Sequence, residues 1–167
     1  MSDHAPLIGG RFPPFSSRDL EGKTFEIPVD LPGSLNVVVL AFSREHRSAV
    51  ESWLPYFAGL EQRFPGLEVW QVAALNKSYS IFRSAIDGGL RARISDPRVR
   101  SHTLTAYMDL HELQRALSPR GLDEIQLLDE IQLCLVDGSG VIRWHTAGGW
   151  TAEKFAGLTA ALEVLLP

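Results

Sequence analysis

The chain has 167 residues, one cysteine and a formal net charge of -4. This length supports one domain with its own core, a lone thiol excludes a disulfide scaffold, and no apolar run approaches the roughly 20 residues of a membrane-spanning helix. The start, Met1-Ser2-Asp3-His4, has no basic patch ahead of an apolar block, so a cytoplasmic chain with no direct membrane insertion is expected, and the mild acidity points away from nucleic acid.

In chain order, the first two dozen residues read as loop, because Phe12-Pro13-Pro14-Phe15 is held extended by its prolines. Asp19-Leu20-Glu21-Gly22-Lys23 reads as a turn and residues 24–27 as a short strand. Residues 36–42 (NVVVLAF) form a continuous apolar, β-branched run, the pattern of a strand covered on both faces. Ser43 is a candidate helix cap. Val50, Trp53, Leu54, Phe57, Leu60 and Phe64 then recur at helical spacing, interrupted by Pro55 and stopped by Pro65-Gly66. Residues 68–75 (EVWQVAAL) predict a second such strand, and residues 78–90 a helix ended by Gly88-Gly89. Residues 103–108 predict a strand, and Asp109 with Glu112 has the spacing of a capping box opening a helix through Leu117.

Residues 131–136 (IQLCLV) and 141–145 read as antiparallel strands joined by Asp137-Gly138-Ser139-Gly140, with Gly138 the expected carrier of the positive φ. Thr151 caps a last helix that presents Phe155, Leu158, Leu162 and Leu165 on one face. A hexapeptide, LDEIQL, occurs in tandem at residues 122–127 and 128–133, two copies being too few for a solenoid. Strands alternating with helices and closing on a hairpin and a helix describe an α/β, thioredoxin-like fold over residues 1–167. It has a mixed central sheet, helices on both faces and an extended segment at residues 1–24.

The sequence resembles the thioredoxin superfamily. Residues 9–25 (GGRFPPFSSRDLEGKTF) are similar to the N-terminal stretch of its peroxiredoxin-like members. Matching Pro55 to the proline in the superfamily's active-site helix puts Arg47-Ser48-Ala49-Val50 where the redox CxxC would stand. Neither cysteine is present, nor a peroxidatic cysteine, and no proline occurs between Pro119 and Pro167, although a cis-proline is expected near Ile131. A narrower resemblance is to the thioredoxin-like assembly factor of mitochondrial ATP synthase. It rests on Phe42-Ser43-Arg44, on Ser52-Trp53-Leu54-Pro55-Tyr56-Phe57, and on the stretch from Leu135 through Asp137-Gly138-Ser139-Gly140 to Arg143-Trp144, followed by Gly148. Tyr56 ahead of Phe57 and the absence of a targeting presequence depart from that pattern. The resemblance implies a redox-inactive binding or assembly-type module with a protein or peptide partner and no cofactor. The alternative is an oxidoreductase of this fold that uses an external thiol or an unusual nucleophile.

The candidate contact site is the old active-site turn and its groove: Ser43, Arg44, His46, Arg47 and Trp53. A helix N-terminus at the end of a parallel strand is where open α/β sheets bind ligands, and these side chains are donors. The competing reading is a solvated turn with Trp53 in the core. Arg143 and Trp144 are a second surface candidate, since Arg and Trp are frequent binding anchors. Cys134, mid-strand, reads as a small buried hydrophobe. The five histidines have no ligand spacing, so no metal is expected. Arg83, Arg91, Arg93, Arg98 and Arg100 form a basic cluster, either solvated and partly neutralised by Asp87 and Asp96 or a binding patch.

Overall fold

The computed structural model describes residues 7–117 and 128–166. The first LDEIQL copy lies outside the described residues. Seven strands form one sheet in the order β2, β1, β5, β4, β3, β6, β7. They are β1 (Phe15–Asp19), β2 (Thr24–Ile27), β3 (Leu35–Ala41), β4 (Leu67–Asn76), β5 (Thr103–Met108), β6 (Gln132–Asp137) and β7 (Ile142–Ala147). Strands β3, β4 and β5 are parallel, and the remaining neighbours pair antiparallel.

The apolar run predicted as a central strand is β3, buried along all but its last residue. Alternation sends its side chains into two cores. Val38 and Leu40 join Trp70, Val72, Cys134 and Val136 on one face. Leu35, Val37 and Val39 join Leu133 and Leu135 on the other. The second face is closed by α1 (Arg47–Arg63), through Trp53, Phe57 and Leu60, and by the last helix, α5 (Ala152–Leu165), through Leu158 and Leu162. The first face is closed by α4 (Leu110–Leu117), through Leu113 and Leu117, and by Leu7, Phe12, Phe25 and Ile27 near the N-terminus. Burying an aliphatic or aromatic side chain is worth about 1.5–3 kcal/mol, so this double cover is the main favourable term of the fold.

Three local expectations are corrected. Residues 15–19 are a strand rather than loop, and their inward positions are polar. Ser17 donates to the Phe25 carbonyl at 3.0 Å, and the Asp19 carboxylate accepts the N–H groups of Glu21 and Lys23 at 2.9 and 2.8 Å. Those bonds satisfy groups that would otherwise be costly to bury. The segment predicted as one helix over 78–90 is a 3₁₀ helix, Lys77–Phe82, followed by α2 (Arg83–Arg93). Gly88 and Gly89 sit inside α2, where a Cβ would meet no neighbour, so they lower its propensity without ending it. In the hairpin the positive φ belongs to Gly140, at 82°, and not to Gly138. The Asp137 carboxylate there accepts the N–H groups of Ser139 and Val141 at 2.9 and 3.0 Å.

The short helix α3 (Pro97–Ser101) was not anticipated, although Asp96 as cap and Pro97 in the first turn are a helix-start signal. Thr151 caps α5 by accepting the Lys154 N–H at 3.1 Å. Asp109 accepts the His111 N–H at 2.9 Å at the head of α4. No helix among the described residues is long and apolar enough to cross a membrane.

Candidate functional site

The parallel strands β3, β4 and β5 end on the same side of the sheet. The chain leaves β3 through Phe42 and Ser43, makes a 3₁₀ turn over Arg44–His46, and enters α1 at Arg47. Ser43 occupies the cap position with extended backbone but makes no side-chain cap bond, a correction of the expected role. Ser43, Arg44 and Arg47 are exposed. The Arg47 guanidinium lies 2.8 Å from the Glu51 carboxylate one turn on, an exposed pair. The Glu45 carboxyl is held below its ordinary range by a backbone hydrogen bond within the turn, then by the Ser43 hydroxyl.

His46 differs from its neighbours: it is buried. Its Nδ1 accepts the Phe42 N–H at 3.0 Å, so Nε2 carries the proton and donates to the Asp129 carbonyl at 3.1 Å. Its ring meets the Phe42 ring edge-on. His46 therefore ties the turn to the chain just before β6, with both ring nitrogens already used.

Trp53 is fully buried, donates to the Gly148 carbonyl at 3.0 Å and stacks on Phe57. It lines no groove wall, and the groove expectation is corrected at that residue. An aromatic surface farther along α1 comes from residues outside the expected site. Tyr56 and Trp150 stack with centroids 4.3 Å apart and planes within 8°, and Phe155 lies 5.3 Å from Tyr56. The Ser52 hydroxyl accepts the Trp150 backbone N–H at 2.9 Å, locking that loop to α1. Trp150 Nε1 is buried with no hydrogen-bond partner among the described residues. A Gly-Gly-Trp just ahead of a helix cap, and a Tyr after the helix proline, were the available signals.

At the other candidate, Arg143 Nε lies 2.7 Å from the Asp137 carboxylate. Burial alone would raise the Asp137 carboxyl, but the Val141 N–H, Arg143 and the Ser139 N–H together lower it. Trp144 is half-buried against the α5 side and borders an open cleft of about 470 Å³ with Thr151, Glu153 and Lys154. In the basic cluster, Arg91 and Arg100 face Glu21, and Arg98 faces Glu61. Asp96 instead caps α3, and Asp87 accepts the Tyr107 hydroxyl at 3.0 Å.

No family model matches the chain, and no curated protein does. Solved structures do. A hypothetical protein from Sinorhizobium meliloti is 17% identical, with a TM-score of 0.60 over 95% of this chain and 84% of that one. A structure assigned as the thiol:disulfide interchange protein DsbE of Chlorobium tepidum is 15% identical, with a TM-score of 0.57 over 96% and 98% of the two chains. A member of the Sco family of cytochrome c oxidase assembly proteins is 11% identical, with a TM-score of 0.56 over 92% and 94%. The fold is thioredoxin-like.

On this thioredoxin-like frame the thiol is misplaced for the superfamily's chemistry. Cys134, the chain's one cysteine, sits in β6 with no exposed surface. Its side chain is on the face opposite α1, so the sheet separates it from the helix N-terminus. Burial pushes its pKa up to about 12, whereas a reactive thiol needs exposure and a nearby positive field. Ile131 stands before β6 where the superfamily's cis-proline was expected, and its carbonyl is taken by the Gly148 N–H at 2.9 Å. Among the described residues no group of three or more His, Cys, Asp and Glu side chains could hold a metal ion.

Proposed function

We propose that this chain is a redox-inactive thioredoxin-like protein that works as a binding or assembly-type module, with the turn at the head of α1 as its contact surface. The observation that carries the reading is the pairing of a sequestered thiol with a turn of exposed donors. Cys134 is behind the sheet and un-ionised at neutral pH, while Ser43, Arg44 and Arg47 stand at the helix N-terminus, anchored by His46. A cation at that end is mildly unfavourable for the helix, so Arg44 and Arg47 gain from an anionic or carbonyl-rich partner. A protein or peptide segment has that chemistry, and the Tyr56–Trp150 stack supplies an apolar flank.

The assembly part of the proposal has two supports. One is the motif resemblance to the ATP synthase assembly factor. The other is the likeness in fold to a Sco-family assembly protein. No client is carried over from either. The peroxiredoxin-like affiliation of the N-terminal stretch belongs to the same proposal.

The test is partner capture with immobilised parent and an Arg44→Ala/Arg47→Ala variant, with bound proteins identified by mass spectrometry. Both substitutions are exposed and should leave stability within about 0.5 kcal/mol. The proposal expects a discrete set held by the parent and lost by the variant. The same proteins at the same yield from both would remove the turn as the contact site.

A further inference from the structure

A second surface follows β4, at the same end of the sheet as this turn. From residue 75 to residue 102 no side chain is buried. The 3₁₀ helix Lys77–Phe82 and α2 contribute nothing to either core. Yet this stretch carries large apolar groups in the open: Tyr79 is 53% exposed, Ile81 80% and Phe82 55%. Three adjoining exposed groups of this size are a patch, and a patch marks an interaction surface.

Its charge is opposite to that of the molecule. Over residues 77–93, Lys77, Arg83, Arg91 and Arg93 stand against Asp87 alone, a net +3 within a chain of net -4. Arg91 faces Glu21 at 3.4 Å, both half-exposed, and Arg83 lies over the Tyr107 ring. Exposed pairs of this kind exchange readily for other anions. Asp87 is engaged by the Tyr107 hydroxyl.

The geometry points to peripheral docking of this basic, apolar-tipped segment on an anionic lipid bilayer, with Tyr79, Ile81 and Phe82 entering the headgroup zone. A peptide partner fits a groove, whereas Ile81 and Phe82 stand in the open, and the clefts at Arg63–Pro65 and at Trp144–Lys154 are lined by other segments. A fluid, flat surface receives protruding side chains without a matching concavity. The combination of exposed aromatic and aliphatic groups with Lys and Arg is the chemistry of interfacial binding. The tip is a 3₁₀ turn whose first N–H groups are partly met by the Asn76 side chain, so shallow entry leaves few backbone groups unpaired. No segment crosses the bilayer in this arrangement.

Co-sedimentation of the full chain with vesicles tests it, using phosphatidylcholine alone and an equimolar mixture with phosphatidylglycerol. The parent should pellet with the mixed vesicles, stay in solution with the neutral ones, and be released by added salt. Ile81→Ser/Phe82→Ser and Lys77→Glu/Arg93→Glu, all exposed positions, should keep the parent's melting curve and bind the mixed vesicles at least about tenfold more weakly. The proposal is overturned if the parent ignores the anionic vesicles, binds neutral ones equally, or is matched by both variants. It is equally overturned if the patch instead joins two copies of the chain, seen as dimers that Ile81→Ser/Phe82→Ser dissolves without any vesicle capture. Binding to an acidic polypeptide with no binding to vesicles has the same consequence.

Discussion

Cys134 shows how far a single residue can be read from its neighbours. Flanked by Leu133 and Leu135 in an apolar run, it was legible as core, and the structure places it there with its pKa pushed up to about 12. The native thiol should therefore stay unmodified by a chromogenic disulfide reagent at pH 8 and react in full after denaturation; complete reaction within seconds in the native state would contradict its sequestration. His46 was not legible. Its partner carbonyl on Asp129 is 83 positions away, and no local pattern reports such a contact, so a buried tie read as one more surface donor. His46→Ala strips the Phe42 N–H of its acceptor and should cost about 2–3 kcal/mol in urea unfolding. A loss below about 0.5 kcal/mol would return His46 to the surface turn. His145 gives a pH signature. Burial lowers its pKa to about 4, while the unfolded chain takes up the proton near 6.5. Stability is thus complete above about pH 6.5 and declines as pH falls toward 4, by roughly 2–3 kcal/mol. His145→Gln should flatten that limb, and an unchanged pH profile would refute the assignment.

Elements announced by apolar content were readable, and elements held by polar groups were not. The β3 run, β5, α4 and the β6–β7 pair appear close to their predicted bounds because each buries a set of apolar side chains, even where polar ones such as Thr103 and Thr105 of β5 are buried beside them. Strand β1 escaped because its inward residues are Ser17 and Asp19, satisfied by hydrogen bonds that only the folded register supplies. In the hairpin the turn was legible but the glycine bearing its conformation was not. At Gly140 φ is 82°, and an added Cβ would stand 3.0 Å from Pro28 Cγ, whereas at Gly138 the nearest atom is the Ser34 carbonyl oxygen at 3.9 Å. Gly140→Ala should then cost about 1–2 kcal/mol, and Gly138→Ala under about 0.5 kcal/mol. Equal losses from the two, measured by denaturant melts, would place the turn strain elsewhere.

For the whole molecule, the thioredoxin-like frame follows from a strand set covered on both faces, and that much was present in the order of elements. What the order does not carry is which side of the sheet each functional group faces. The thiol lies on the α4 face, and the helix N-terminus that would activate it is on the α1 face. Arg44 and Arg47 at that end are exposed, and the sheet keeps the thiol away from them. The separation makes the central claim, a thioredoxin-like fold without dithiol chemistry, open to one direct measurement: the rate at which dithiothreitol reduces insulin in the presence of the purified chain. The account predicts the uncatalysed rate at every protein concentration, with Cys134→Ser indistinguishable from the parent. Acceleration that scales with the parent and disappears in Cys134→Ser would contradict it.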